Sequence, residues 1–436
     1  MRDIVLALFI FGTIPFILSR PYIGLLVWSW LGYMNPNRLC YGFAVTFPWV
    51  QLVAVVTLLS FVISKESKKV PWSVVGLLLA MFLLWTGIST YYAAVPDSAW
   101  KAWLEFVKIL VMVFVTLMLV DTRQRMDWLI WVIVASLGFY GFKGGIFTIL
   151  KGGNYHVFGP PASFIADNNA LALALCMTLP LMRYLQLHTS HKWVRAVLWG
   201  LMVLTCVTVL GTYSRGGLIA LAVALGALFL KSRRRLAVVL VAAAIVFAAY
   251  HFMPSQWKER MGTLQHAEQT DSGSTRIESY KFAVNVALHH PLLGGGFNVY
   301  QSSSAWTSYA PADSIPRAIH SIYFRVLGEQ GFVGLALFLA LLFASWRNCS
   351  RARKLTRGNE EMKWAFDLAS MLQVALVAYM TAGAFLPMSY FDLSYQLMAL
   401  SVVLSAHCVW QIRRHESPAT GATSLSVALP RRSAAG

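Results

Sequence analysis

Long apolar segments follow one another along almost the whole chain. A helix needs about 20 mainly apolar residues to cross the hydrocarbon core of a membrane. Two short segments, Ile4–Leu18 and Tyr22–Tyr33, form either two tilted spans or one broken crossing, and eleven clearer segments follow them. We therefore predict an all-α, polytopic membrane protein with about 12 transmembrane helices. The clearer segments are Ala44–Ser64, Val70–Tyr92, Ala102–Val120, Trp128–Leu150, Phe164–Leu185, Val194–Thr212, Gly217–Leu230, Leu236–Met253, Ser321–Trp346, Ala365–Pro387 and Leu393–Ile412.

The charge balance supports this class and indicates the sidedness of the chain. Charged residues make up 12% of the chain, whereas soluble proteins carry about 25%. The net charge of +18 is typical of cytoplasmic connections in a membrane protein, so we predict membrane lipids and no nucleic acid as partners. Lys/Arg clusters fall on every second connection, at 65–69, 123–125, 192–195, 231–235, 347–357 and 413–414, and these connections are predicted to be cytoplasmic.

One polar stretch, 254–319, interrupts the membrane-type sequence and lies on the opposite face. A long loop without the composition of a linker often carries function. The predicted organisation is therefore four parts: transmembrane helices over 1–253, a loop domain over 254–319 on the face opposite the basic connections, further transmembrane helices over 320–414 and a disordered cytoplasmic tail over 415–436.

Cysteine usage argues against disulfide and thiolate chemistry. The five cysteines are odd in number and contain no Cys-x-x-Cys pair, so neither a disulfide framework nor a thiolate metal site is indicated. The apolar N-terminus is followed by Arg20-Pro21 and not by a small-residue cleavage site, so we interpret it as a retained span.

A predicted helix breaks at Ser214-Arg215-Gly216-Gly217, and a new helix follows. The glycines allow a tight turn, the new N-terminus favours an anion, and the planar fork of Arg215 suits a phosphate. A second interpretation is also open, in which Arg215 only extends to the lipid headgroups.

Arg276 lies within the polar stretch, next to a predicted capping box of Thr275 and Glu278. A stripe of Ile277, Tyr280, Val284 and Leu288 is expected to face the membrane domain. Because a cation in the first turn opposes the helix dipole, Arg276 either is a solvated loop residue or meets an anion.

His320 stands at the start of the next apolar helix, followed by Tyr323 and Arg325. A histidine at such a boundary can act as a general base near neutral pH, although a purely interfacial histidine also fits. Arg325 is four residues before Glu329, so we predict that the two pair. Tyr323 and Arg325 are secondary candidates for the site.

Lys143 and Asp167 lie near the outer ends of their spans, where ionisable groups are functional candidates. Lys143 is a further secondary candidate. The first outer connection, 34–44, contains no Asp or Glu, which disfavours a divalent-metal mechanism. We predict no metal site and no cofactor.

Three motifs, in this order and on one face, resemble the lipopolysaccharide O-antigen ligase superfamily. This superfamily also includes O-antigen polymerases and protein O-oligosaccharyltransferases. The motifs are the Ser-Arg-Gly-Gly break within Tyr213–Gly217, the loop arginine followed by His-His-Pro-Leu-x-Gly-x-Gly within Arg276–Gly296, and His-Ser-x-Tyr at His320–Tyr323. The first half of the chain, including Gly141–Gly153 and Gly159–Asn169, is similar to a ligase branch often found with exopolysaccharide systems.

The resemblance implies a glycosyltransferase type C-like fold in the bacterial inner membrane, with an active site facing the periplasm. It implies transfer of a polysaccharide from undecaprenyl diphosphate to a sugar hydroxyl of lipid A-core. Arg215 and Arg276 would bind the diphosphate, and His320 would be the base. A polymerase or a protein O-oligosaccharyltransferase with the same donor is the alternative. A lipid-linked glycan transporter is disfavoured because the chain shows no internal repeat of the kind common in transporters.

Overall fold

The computed structural model describes residues 1–66, 68, 70, 71, 73–231, 236, 239, 240, 243, 247, 250–262, 271–312 and 314–416. Every regular element within these ranges is a helix, in agreement with the predicted all-α class. The α-helices are α1 Arg2–Ser19, α2 Pro21–Met34, α3 Trp49–Ile63, α4 Val74–Tyr91, α5 Pro96–Leu119, α6 Arg123–Leu150, α7 Asn168–His188, α8 Lys192–Gly211, α9 Arg215–Lys231, α10 Ser255–Gly262, α11 Asp271–His289, α12 Ser303–Tyr309, α13 Ile322–Thr356, α14 Lys363–Gly383 and α15 Asp392–Glu416. Short 3₁₀ helices cover Pro36–Leu39, Phe43–Val45 and Val299–Gln301.

Nine helices in the described ranges are long and apolar enough to cross a membrane: α1, α4 to α8, and α13 to α15. The chain is therefore a multi-pass membrane protein. The helices α2, α3 and α9 are shorter. The predicted segment Leu236–Met253 lies largely outside the described residues, as does the predicted tail beyond 416. At the N-terminus the two short segments are separate helices, α1 and α2, because the backbone of Arg20 is extended between them.

The bundle has two chemically different ends. The end at which α7, α9 and α13 begin carries the polar stretch, and we call it the site end. The end at which α9 and α13 finish and α14 begins carries the lysine and arginine clusters, and we call it the basic end.

The centre of the bundle is formed by α7, α14 and α15, whose side chains are mostly buried. A helix that is apolar all round is expected in such a position. By contrast, α1 exposes most of its apolar side chains, as a helix facing lipid would. Small residues bring the helices close together: a Cβ added at Gly141 would overlap Thr205, so α6 and α8 pack with little separation.

A break inside α13 connects the bundle to the polar stretch. Gly331 has φ 70°, which interrupts the helix, and the freed carbonyls of Gly328 and Glu329 accept hydrogen bonds from the backbone N–H groups of Gly295 and Gly296, both at 2.9 Å. The glycine-rich turn at Gly294–Gly296 is therefore fastened to α13 near its start.

Candidate functional site at one end of the bundle

The first part of the site is the turn between α8 and α9. Tyr213 adopts φ 57°, and its hydroxyl donates to the carbonyl of Gly153 at 2.6 Å. The Ser214 hydroxyl accepts from the N–H of Gly217 at 3.0 Å and so caps α9. Arg215 is therefore the first residue of α9.

The glycines of this motif have a different role from the one expected. The left-handed residue of the turn is Tyr213, not a glycine. A Cβ added at Gly217 would lie 2.5 Å from the Cβ of Ala172, so Gly217 is needed for the close approach of α9 to α7. The break in the helix was predicted correctly, and the reason for its glycines was not.

A short helix, α10, braces the same turn from outside. Its Trp257 ring N–H donates to the carbonyl of Leu210 at 3.0 Å, and the Nε–H of Arg260 donates to the carbonyl of Tyr213 at 3.1 Å. These bonds place a second arginine beside Arg215.

Three guanidinium groups converge at this point. Burial lowers the pKa of Arg215, and the nearby positive charges of Arg276 and Arg260 lower it further. Arg215 precedes the apolar part of α9, so its charge lies at the site end of the bundle. Burial and Arg260 also lower the pKa of His156, whose ring packs on Tyr213 with centroids 4.3 Å apart.

Arg276 is carried by α11, which packs along the first turns of α13. Two expectations about this helix were wrong. It includes Thr275, so the predicted capping box does not start it. Ile277 and Leu288 are exposed. The buried face is instead Ser279, Phe282, Ala283, Val286 and Ala287, because the neighbour that this face contacts includes the close-packed Gly328 of α13.

Arg276 has no hydrogen-bond or ion-pair partner for its guanidinium within the described part of the chain. The side chain is half-buried. A half-buried arginine without a carboxylate is a ready site for an anion, since the charge is otherwise satisfied only by water.

His320 lies between α11 and α13, and its backbone is held in place. The hydroxyl of Tyr280 donates to the His320 carbonyl at 2.8 Å, and Ser321 caps α13 by accepting from the N–H of Tyr323 at 3.3 Å. No hydrogen bond to either ring nitrogen of His320 is formed within the described residues. The ring is therefore held through the backbone while its nitrogens are left for a ligand.

Charged side chains from separate parts of the chain surround His320. Burial lowers the pKa of His320, and the cations Arg276, Arg325 and Arg317 lower it further, whereas the carboxylate of Asp167 opposes them. The imidazole is therefore neutral at pH 7. Asp167 also caps α7, since its carboxylate accepts from the N–H of Asn169 at 2.9 Å.

Arg325 and Glu329 form an ion pair, as predicted, with Nε and Oε1 3.0 Å apart. Glu329 is completely buried and also accepts from the hydroxyl of Tyr390 at 2.8 Å and from the N–H of Asn298 at 3.0 Å. Arg325 donates in addition to the carbonyl of Pro387 at 2.8 Å. We call these side chains the Arg325–Glu329 network.

The other two secondary candidates are Tyr323 and Lys143. Within the described residues, neither forms a hydrogen bond or ion pair with Arg215, Arg260 or Arg276. The hydroxyl of Tyr323 donates to the carbonyl of Met380 at 3.0 Å, which ties α13 to α14. Lys143 is exposed on α6. Within the described residues, no hydrogen bond or electrostatic coupling links Lys143 to Arg215, Arg276 or His320.

The structure adds residues whose place the sequence did not indicate. Arg260 stood among the charged residues of the polar stretch with nothing to distinguish it. Arg317 lowers the pKa of His320 and lies 3.6 Å from Glu278, measured between Nη2 and Oε2. Asp167 was a candidate without a role. Only the tertiary structure, which brings α7, α10 and the connection before His320 to one point, identifies these three.

Two family models match the chain. Residues 1–190 match a family described as a family of unknown function (DUF5935), and residues 200–339 match the family described as O-antigen ligase. The second match contains Arg215, Arg276 and His320. No curated protein matches the chain.

Proposed function

Residues 200–339 match the O-antigen ligase family, and from this premise we propose that the chain is a member that transfers a polysaccharide from undecaprenyl diphosphate to a sugar hydroxyl of lipid A-core. The family implies lipid-linked polysaccharide substrates in a membrane. The reaction would take place at the periplasmic face of the bacterial inner membrane, where the charge distribution of the sequence puts the polar stretch. The observation that carries the proposal is that Arg276 is an electrostatic neighbour of both Arg215 and His320.

Arg215 and Arg276 are proposed to bind the diphosphate of the donor. Burial lowers the pKa of Arg215, and its repulsion from Arg276 lowers it further. A bound diphosphate would turn this repulsion into attraction. Negative charge on the diphosphate grows as it leaves the sugar. Fixed cations at the place where charge develops stabilise the transition state, and removing one such group typically costs about 10²–10³-fold in rate.

His320 is proposed to be the general base. Its imidazole is neutral at pH 7 for the reasons given above, so a ring nitrogen can accept the proton of the acceptor hydroxyl. General-base catalysis is worth about 10²–10⁴-fold. The negative charge of the Asp167 carboxylate would stabilise the imidazolium that results.

The bond changes in this mechanism balance without a further reactant. The acceptor oxygen forms a bond to the anomeric carbon, the bond from that carbon to the diphosphate oxygen breaks, and undecaprenyl diphosphate leaves with the electron pair. The hydroxyl proton moves to His320. A direct displacement of this kind inverts the anomeric configuration. The proposal uses no metal ion and no cofactor, because the lipid diphosphate is already a good leaving group.

The test is complementation of a ligase-deleted strain with the full chain, followed by analysis of the ladder on lipid A-core. The wild-type protein should restore the ladder. His320→Ala, present at an equal level in the membrane, should reduce ligation by at least about 10²-fold. His289→Ala is the matched control, since His289 lies exposed in the same polar stretch and should leave ligation unchanged.

Other products would redirect the proposal. Longer chains that are not joined to core would identify a polymerase, and glycosylated pilin or secreted protein would identify a protein O-oligosaccharyltransferase. Movement of labelled lipid that persists in His320→Ala, without any ligated product, would identify a transporter. A His320→Ala protein that ligates normally would remove the base assignment while leaving the reaction in place.

A further inference from the structure

Two cations meet on one oxygen at the basic end of the bundle. Lys231 is the last residue of α9, and its Nζ donates to the side-chain oxygen of Gln373 at 2.6 Å. Arg353, near the end of α13, donates from NH1 to the same oxygen at 3.0 Å. Gln373 itself is almost completely buried in α14, so the oxygen holds both charges at the junction of three helices.

This pair lacks a counter-charge in the part of the chain that the structure describes. Within the described residues neither Lys231 nor Arg353 contacts a carboxylate; the remaining partner of Lys231 is the carbonyl of Ser370 at 3.3 Å. The two positive charges are close enough to act on each other unfavourably. The Nε–H of Arg353 is buried and has no hydrogen-bond partner among the described residues.

Two other cations at the basic end are paired with acids. Arg125 lies 2.7 Å from Glu66, and Lys363 lies 3.1 Å from Glu360. Residues 232–235, which follow Lys231, lie outside the described residues and read Ser-Arg-Arg-Arg in sequence, so they supply no acid.

The aromatic surroundings indicate where an anion would come from. The ring of Trp346 lies 5.8 Å from the Lys231 ammonium, and the ring of Phe366 lies 5.2 Å from the Arg353 guanidinium. Tryptophan is typical of the level of the lipid headgroups. Lysine and arginine near that surface attract anionic lipids, with about 1 kcal/mol for each cation.

We propose that Lys231, Arg353 and the buried Nε–H of Arg353 bind a phosphate group, supplied by the headgroup of an anionic phospholipid in the cytoplasmic leaflet. The anion would neutralise the pair and complete the hydrogen bonding of Arg353. This site is at the opposite end of the bundle from His320, and it does not depend on the proposed reaction.

The experiment measures the thermal unfolding of the full chain in nanodiscs of phosphatidylcholine, with and without one quarter phosphatidylglycerol. The anionic lipid should raise the Tm of the wild type, since a ligand that binds only the folded state stabilises it. Lys231→Gln and Arg353→Gln should each lose most of this increase, with an apparent affinity about fivefold weaker in a lipid titration. Lys231→Arg should retain it.

Arg351→Gln is the matched control, because Arg351 is exposed on the same helix and its replacement removes the same charge. It should keep the full response. In phosphatidylcholine alone, Lys231→Gln should unfold at or above the wild-type temperature because the repulsion is gone.

Inorganic phosphate added in detergent separates the two sources: a response to phosphate equal to the lipid response supports the phosphate site and assigns it to a soluble anion. If Lys231→Gln and Arg353→Gln respond like Arg351→Gln, the proposal is overturned, and the two residues only stabilise the ends of their helices.

Discussion

Two regions flank His320, and each contributes an arginine that lowers its pKa. Arg325 lies inside the Arg325–Glu329 network, where a fully buried carboxylate neutralises it. Arg276 lies on α11 and has no such partner within the described residues. The same residue type is therefore structural where the protein supplies the opposite charge, and available to a ligand where it does not. Whether a carboxylate pairs with an arginine, more than the presence of the arginine, distinguishes a structural residue from a candidate binding residue.

The largest effect is expected from breaking the network. Glu329→Ala leaves Arg325 and the hydroxyl of Tyr390 buried without their acceptor. Removing one partner of a buried ion pair typically costs about 3–5 kcal/mol. We expect a strongly lowered Tm in detergent, or loss of the protein from the membrane. The double variant Arg325→Met with Glu329→Gln should recover much of this loss, because it leaves no unpaired charge; if it is no more stable than Glu329→Ala, the ion pair is not the source of the effect.

Arg276→Ala should give the opposite combination. Because no described residue pairs with the Arg276 guanidinium, the Tm should change little, whereas ligation should fall by about 10²–10³-fold. Arg276→Lys keeps the charge but not the bidentate fork and should recover only part of the activity. The measurements are the amount of ladder on lipid A-core and the Tm of the purified proteins. Normal ligation by Arg276→Ala would sink the diphosphate assignment.

A smaller loss of stability is expected where the polar stretch is fastened to α13. Gly294 has φ 64°, and a Cβ there would lie 2.6 Å from the backbone nitrogen of Gly331. Gly294→Ala should cost about 1–3 kcal/mol through strain and displacement of the turn. Gly200→Ala is the control, since nothing lies within 4 Å of that added Cβ, and it should not lower the Tm. Equal Tm values for the two variants would show that the turn is not tightly held.

The smallest effect concerns pH. The base form of His320 is lost as pH falls through its lowered pKa, so activity should persist somewhat below pH 6.5, the usual pKa of histidine. Arg317→Gln removes a cation, raises the pKa and should move the acidic limb of kcat/KM upward, by less than about one unit. Asp167→Asn keeps a capping oxygen but removes the anion, so the limb should move downward. Shifts of the same sign in both variants would contradict the assignment of the limb to His320.

Much of the site was predictable because its motifs are local. The helix break at Ser214, the start of a helix after His320 and the Arg325–Glu329 pair all depend on residues within a few positions of each other. The errors arose where distant segments meet. The face that α11 buries, with Phe282 and Val286 in place of Ile277 and Leu288, depends on α13 being its neighbour. The close approach of Gly217 to Ala172 depends on α7.

Apolar length and the alternation of basic connections determined by themselves that this chain is a multi-pass helical membrane protein, because each span must satisfy its own backbone and each basic cluster favours one side. The order of the three motifs was enough to indicate the family. Only the tertiary structure decided which charges meet: that Arg260 and Asp167 join the site, that Arg325 is neutralised, and that Lys231 and Arg353 share one oxygen. Coulomb interactions depend on distance in space and on burial, and neither quantity is written in the separation of residues along the chain.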